Sequence, residues 1–74
     1  MAKPYKELRK LMYGESINQE PLADHLGRGT TYVSMRMRGV APWDMLDVYR
    51  ICELLDIPAD KIAVYFPRED IKVS

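Results

Sequence analysis

The apolar residues of this chain recur three and four positions apart, the spacing that places them on one face of an α-helix. Glycines and prolines interrupt the pattern at places where helices commonly begin and end. The pattern predicts five short helices, over residues 4–13, 18–26, 30–38, 42–56 and 61–66. Strand signals are otherwise absent, so we expect an all-α fold in a single domain of residues 1–67, followed by a tail of residues 68–74 that is a short strand or disordered.

The predicted core consists of the apolar side chains that line one face of each helix. The apolar face of the fourth helix is the clearest, and Trp43 and Met45 at its beginning are expected to close the core against the third helix. Asn18 is expected to cap the second helix through the N–H of Glu20, and Asp60 to cap the last helix. The inward residues of the first four helices are Tyr5, Leu8, Leu11, Met12, Leu22, Ala23, Leu26, Val33, Met37, Val48, Ile51, Cys52 and Leu55.

Length and charge set further bounds. A chain of 74 residues buries only about 60% of the surface that its unfolded form exposes, so the core is small. The formal net charge is zero, which at face value argues against a nucleic-acid binder. However, residues 1–38 hold seven basic and four acidic side chains, and residues 39–74 hold four basic and seven acidic ones. Such a gradient either presents a positive face to an anionic partner or arises by chance.

Several function classes find no support in the sequence. One cysteine, Cys52, and one histidine, His25, make neither a disulfide framework nor a zinc site of the usual kind. No nucleophile–base pair is visible, and the Gly27–Gly29 pair lacks the preceding strand of a nucleotide-binding loop. We therefore expect no enzyme, no cofactor, no metal and no small-molecule substrate. No membrane span or signal peptide is visible, and a soluble intracellular protein is expected.

The stretch 18–39 carries the functional signal. Two short helices meet there across a tight turn, and the small side chain of Ala23 allows the second to cross the first at the roughly 90–120° of a helix-turn-helix. Val33 and Met37 face the core. The opposite side of the second of these helices is left exposed and could enter a DNA major groove; it carries Thr30, Thr31, Ser34, Met35 and Arg38.

These residues resemble a known family. Asn18-Gln19, Leu22-Ala23, Leu26-Gly27, Val33-Ser34, Gly39 and the stripe through Ile51, Leu55 and Ile57 are similar to the lambda-repressor-like helix-turn-helix family, the Xre/Cro-type regulators. The resemblance covers about residues 5–66, and Arg36-Met37 and Trp43 make it closest to small phage-associated members. It implies a compact five-helix DNA-binding domain that needs no cofactor.

The resemblance also implies roles for particular residues. Gln19 matches the glutamine that hydrogen-bonds a DNA phosphate, and Thr30 and Thr31 match the base-reading start of the recognition helix. Ser34 and Met35 match positions further along the groove. Arg28 in the turn could reach a phosphate, and Arg38 lies where the following loop approaches the DNA backbone.

Two departures from the family's pattern qualify those roles. Gly29 stands where many relatives have a capping serine or threonine, and the groove-facing start lacks the Gln or Arg pairs that read adenine or guanine. Threonine and methionine would contact thymine methyls or phosphates instead, which favours readout of DNA shape.

A solvated or phosphate-facing guanidinium is expected for Arg36. Four further cations either track phosphates or serve solubility: Lys3, Lys6, Arg9 and Lys10.

Apolar side chains in the last two helices exceed what one small core needs. They are either a second side of that core or a homodimer surface. A dimer suits regulators that bind two half-sites about 34 Å apart. The candidate dimer residues are Leu46, Tyr49, Leu54, Tyr65 and Phe66.

The sequence thus predicts a transcriptional regulator of phage or mobile-element type, a Cro-like or single-domain repressor that binds double-stranded DNA. It would act in the bacterial cytoplasm, associated with the nucleoid. The alternative is a protein-interaction module, such as an antitoxin or an adaptor, on a helix-turn-helix scaffold.

Overall fold

The helices of the chain begin and end close to the predicted boundaries. A computed structural model describes residues 3–70, and within that range the secondary structure is entirely helical, without a strand. The α-helices are α1 (Lys6–Gly14), α2 (Gln19–Leu26), α3 (Thr30–Met37), α4 (Met45–Leu55) and α5 (Ile62–Tyr65). Two 3-10 helices, Ala59–Lys61 and Arg68–Asp70, flank α5. The all-α prediction is confirmed for this part of the chain.

Helix starts differ most from the expectation. Helix α4 begins at Met45, three residues later than predicted, because Asp44 caps it: its carboxylate accepts a hydrogen bond of 2.8 Å from the N–H of Asp47. Asn18 occupies the N-cap position of α2, but its side chain makes no capping hydrogen bond, so the expected bond to Glu20 is absent. Asp60 lies inside a 3-10 helix and caps nothing.

One apolar core holds the helices together. Helix α2 packs against α3 and α4, and α1 packs against α5. Tyr5, Trp43 and Phe66 meet edge to face, with ring centroids 6.1–6.4 Å apart. The buried apolar residues are Tyr5, Leu8, Met12, Leu22, Ala23, Leu26, Val33, Met37, Trp43, Val48, Ile51, Cys52, Leu55, Ile57 and Phe66.

Two residues depart from the predicted core. Met45 was expected inside, but it is 61% exposed, because it opens α4 while Trp43, just before the helix, fills the core. Phe66 was expected on a dimer surface, but it is only 3% exposed, because its ring packs between Tyr5 and Trp43. Leu11 is half-buried and packs against the core from α1.

The last described residues pack against the beginning of α1. Arg68–Asp70 form a 3-10 helix where a strand or disorder was expected, and the rest of the predicted tail, 71–74, lies outside the described residues. The Asp70 carboxylate accepts a hydrogen bond of 3.1 Å from the N–H of Tyr5. None of the helices in residues 3–70 is long and apolar enough to cross a membrane.

Candidate nucleic-acid interface

A short turn sets the relation between α2 and α3. Gly27 ends α2 in the left-handed conformation with φ 69°, which glycine adopts without the steric cost that a side chain would bring. Gly29 is extended and begins α3 without a side-chain cap. Ala23 is buried on α2, and Val33 and Met37 are buried on α3. The inner side of α3 is therefore fixed in the core.

The other side of α3 faces outward. Thr30, Thr31 and Arg38 are exposed, and Ser34 and Met35 are half-buried. Residues three, four and seven positions apart share one side of a helix, so Thr31, Ser34, Met35 and Arg38 form a continuous surface. The structure therefore places the predicted groove-facing residues together on the outer side of α3.

A cavity of about 330 Å³ lies beside this surface and collects positive charge. We call it the basic cavity; it is lined by Lys3, Pro4, Arg9, Gln19, Ser34 and Arg38. These residues come from the segment before α1, from α1, and from α2 and α3. Three of them are cationic and none is acidic, so the cavity suits an anion.

Arg9, which lines this cavity, also connects two parts of the backbone through hydrogen bonds. Its Nε donates to the carbonyl of Pro4 at 2.8 Å, and its Nη2 donates to the carbonyl of Met37 at 2.5 Å. Met37 ends α3, where carbonyls lack intrahelical partners and a cation is favoured. The sequence alone did not decide whether Arg9 contacts phosphates or only serves solubility. Its bond to Met37 could not be predicted, because no local pattern indicates a partner 28 positions away.

The start of α2 also opens toward the basic cavity. Gln19, the first residue of α2, lines it, and no side chain caps the helix at Asn18. The first N–H groups of a helix have no intrahelical partner, and they attract anions. Gln19 can therefore add an amide donor next to those N–H groups.

A second polar group lies between α3 and the start of α4. We call it the Asp47 cluster; it consists of Arg28, Tyr32, Arg36, Asp44 and Asp47. Asp47 is completely buried, and its carboxylate accepts a hydrogen bond from the Tyr32 hydroxyl. Arg28 Nε lies 3.7 Å from Asp47 Oδ1, and Arg28 Nη2 lies 3.5 Å from Asp44 Oδ2. The sequence placed Asp47 only in the first turns of a helix and gave no signal for this cluster.

Both arginines of the Asp47 cluster lie over one aromatic ring. The guanidinium carbons of Arg36 and Arg28 are 3.5 Å and 4.6 Å from the centroid of Tyr32, distances at which cation–π attraction acts. Arg36 Nε is buried without a hydrogen-bond partner among the described residues. The sequence predicts a solvated or phosphate-facing guanidinium at Arg36; the structure packs the half-buried group on Tyr32, and its contact with a phosphate stays a prediction.

The tyrosine of this cluster is electrostatically perturbed. Burial raises the pKa of Tyr32 above its usual value of 10.0, and the hydrogen bond to Asp47 and the negative charge of Asp47 raise it further. The positive charge of Arg36 acts in the opposite direction. The Tyr32 hydroxyl therefore keeps its proton and remains a donor to the buried carboxylate.

The predicted dimer residues separate into three groups. Leu46 and Tyr49 on α4 are 52% and 55% exposed, whereas Leu54 and Tyr65 are half-buried against the core. Phe66 belongs to the core. Leu46 and Tyr49 border a groove of about 600 Å³ that Ile57 and Ile62 also line.

The described residues offer no grouping of three or more His, Cys, Asp or Glu that could hold a metal ion. No protein-family model matches the chain, and no curated protein matches it.

Proposed function

We propose that this chain is a sequence-specific DNA-binding transcriptional regulator of phage or mobile-element type. In this proposal the fold is a lambda-repressor-like domain in which α2 and α3 form the helix-turn-helix, and α3 enters the major groove. The resemblance over residues 5–66 suggests this function. The proposed activity needs neither a cofactor nor a catalytic step, and its partner is double-stranded DNA.

The observation that carries the proposal is the position of the basic cavity. It lies directly beside the exposed surface of α3, and it shares Ser34 and Arg38 with that surface. A phosphate in the cavity would meet Lys3, Arg38 and the start of α2 while α3 lies in the adjacent groove. Phosphate contacts of this kind fix the register and orientation of a protein on the duplex.

Base reading in this proposal falls to the outer side of α3. Thr30, Thr31 and Met35 offer methyl groups and hydroxyls, which suit thymine methyls and single hydrogen bonds. No side chain among them makes a bidentate pair with a base. DNA shape therefore contributes to specificity, and the affinity comes mainly from phosphate neutralisation and falls steeply with salt.

We also propose that the protein binds DNA as a homodimer through the exposed apolar surface of α4. Leu46 and Tyr49 are more than half exposed, and the groove beside them is partly apolar. Leu54 and Tyr65 lie in the underlying layer. Two copies would present two α3 helices to successive major grooves, which compensates for the modest charge of one basic cavity.

Titration of the protein into a labelled random-sequence duplex at low salt tests the proposal. Binding at micromolar concentrations or tighter is expected, with a clear loss in Arg38→Gln, which removes a cation of the basic cavity. Lys61→Gln is the matched control, because Lys61 is exposed in the 3-10 helix before α5. Absence of binding, or equal weakening by the two variants, would overturn the proposal.

A protein-interaction module is the second candidate, and the exposed apolar residues of α4 favour it. Met45, Leu46 and Tyr49 form a surface that a partner of another kind could cover. This candidate predicts no binding to the random duplex and no effect of Arg38→Gln on any complex that the protein forms. The duplex titration therefore separates the two candidates.

A further inference from the structure

We infer that the Asp47 cluster is a positioning device for α3, and that Arg28 and Arg36 serve it instead of contacting DNA. The inference rests on the proposed function, and it assigns to two arginines a different role from the phosphate contacts that the sequence suggests. Tyr32 and Asp47 are its central pair, since their hydrogen bond joins α3 to the start of α4.

The geometry of Tyr32 makes it suited to this role. It lies on α3 between the buried residue Val33 and the outward residue Thr31. A bond at this flank opposes rotation of α3 about its own axis, which burial of Val33 and Met37 alone restrains less strongly. A small rotation would shift Thr31, Met35 and Arg38 relative to the DNA groove. The bond of Tyr32 therefore controls which side chains α3 presents to the DNA.

Burial of a carboxylate explains why a donor and a cation lie beside Asp47. Asp47 is completely buried, and taking its charge out of water is costly unless cations and donors compensate. Tyr32 supplies the donor, and Arg28 brings a positive charge to 3.7 Å. Arg36, on α3 like Tyr32, packs on the tyrosine ring with its guanidinium carbon 3.5 Å from the centroid, and its Nη1 also donates to the Tyr32 carbonyl at 3.4 Å. These contacts hold Arg28 beside the two carboxylates and Arg36 on the Tyr32 ring.

Asp44 links the cluster to the helix start. One of its carboxylate oxygens caps α4 through the N–H of Asp47, and the other lies 3.5 Å from Arg28. The capped end of α4, the turn before α3 and the flank of α3 thus meet in one set of contacts. A phosphate that drew Arg28 away would leave the Asp47 charge without its cation, so the cluster disfavours that contact.

Salt dependence of DNA binding tests the role of the arginines. Each phosphate contact contributes about 0.9 to the slope of log affinity against log salt. Arg36→Met is expected to leave the slope for random-sequence duplex unchanged, whereas Arg38→Met lowers it by about 0.9 per protomer. A slope lowered equally by Arg36→Met would overturn the inference and leave the proposed function intact. Absence of any binding by the unaltered protein would overturn both.

Specificity tests the role of Tyr32. The probes are the tightest duplex recovered by selection from a random library and a duplex of scrambled sequence. Tyr32→Phe removes only the hydroxyl and is expected to weaken the selected duplex by about tenfold, with less than about twofold change for the scrambled one. Equal weakening of the two duplexes indicates a merely structural role and would overturn the inference. If Tyr32→Phe does not fold, the Arg36→Met slope still decides.

Discussion

The guanidinium of Arg9 joins α1 to the last residue of α3, because its Nη2 donates a hydrogen bond to the carbonyl of Met37. The same side chain reaches the carbonyl of Pro4 through Nε. One arginine thereby fixes the segment before α1 and the end of α3, the two parts that carry Lys3 and Arg38 into the basic cavity.

Removing this arginine should lower stability. Arg9→Met keeps the aliphatic length but removes both donors, and we expect a loss of about 2 kcal/mol in the free energy of unfolding, the scale of a hydrogen bond from a charged group. Urea denaturation followed by circular dichroism measures it. Lys6→Met, an exposed neighbour on the same helix, should change stability by less than about 0.5 kcal/mol. A similar loss in both variants would contradict the assignment.

The basic cavity predicts how the proposed DNA binding depends on salt. Lys3→Gln removes a cation that lines the cavity, and the slope of log affinity against log salt should fall by about 0.9 per protomer. Lys10→Gln is the matched control, because Lys10 does not line the cavity and lies 3.8 Å from Glu7. Fluorescence anisotropy at several salt concentrations gives both slopes, and an unchanged slope in Lys3→Gln would exclude Lys3 from phosphate binding.

Two glycines should respond oppositely to alanine. Gly27 has φ 69°, so Gly27→Ala forces a side chain into the left-handed region and should cost about 1 kcal/mol. Gly14 is the last residue of α1, and a Cβ built on it would meet no other atom within 4 Å, so Gly14→Ala should raise stability by up to about 1 kcal/mol. Thermal unfolding of the two variants checks both signs. Stabilisation by Gly27→Ala would mean that the turn adopts another conformation in solution.

The proposed dimer surface on α4 can be tested by introducing a charge. Tyr49→Lys places a cation on the exposed side of α4, and we expect the dimer to dissociate while the helix content is unchanged, since Tyr49 is 55% exposed. Val64→Lys makes the same kind of change at an exposed position of α5 and should leave the dimer intact. Sedimentation velocity at micromolar concentration measures both. A monomeric unaltered protein, free and bound to DNA, would contradict the dimer.

Stability should fall in alkaline solution. Burial raises the pKa of Cys52 above 9.0. Burial, and to a lesser extent the charge of Asp70, raises the pKa of Tyr5 above 10.0. Burial and Asp47 raise the pKa of Tyr32 in the same direction. For groups whose pKa is higher in the folded state, the stabilisation is complete below the unfolded pKa and is lost as the pH rises toward the folded one. Urea midpoints should therefore be constant between about pH 7 and 8 and fall above pH 9.0, first through Cys52. Cys52→Ala should delay that fall.

Local periodicity predicted the helices well because short helices are defined by nearby residues. The stripe of Val48, Ile51, Cys52 and Leu55 is buried throughout, as its spacing indicates. The start of α4 was misplaced because proline suggested an earlier start, whereas the side chain of Asp44 forms the cap. Whether an apolar residue next to a helix lies in the core depends on distant partners, as Phe66 shows.

The candidate site was predictable only in part for the same reason. The outer side of α3 follows from helical geometry, and the structure places Thr31, Ser34 and Arg38 there. The contribution of Arg9 depends on contacts between distant parts of the chain. So does the pairing of Tyr32 with Asp47, fifteen positions apart. No local pattern encodes such pairs.

The close approach of Pro4 to Gly39 links two distant positions in the chain. Gly39 has φ 75°, and a Cβ built on it would lie 3.2 Å from Cγ of Pro4. A larger residue at position 39 would therefore displace the segment that brings Lys3 to the basic cavity. Substitutions at these two positions should depend on one another. Because a side chain at φ 75° is strained in any case, a library that varies residues 4 and 39 together should return mostly glycine at 39, and a larger residue there only with a small residue at 4.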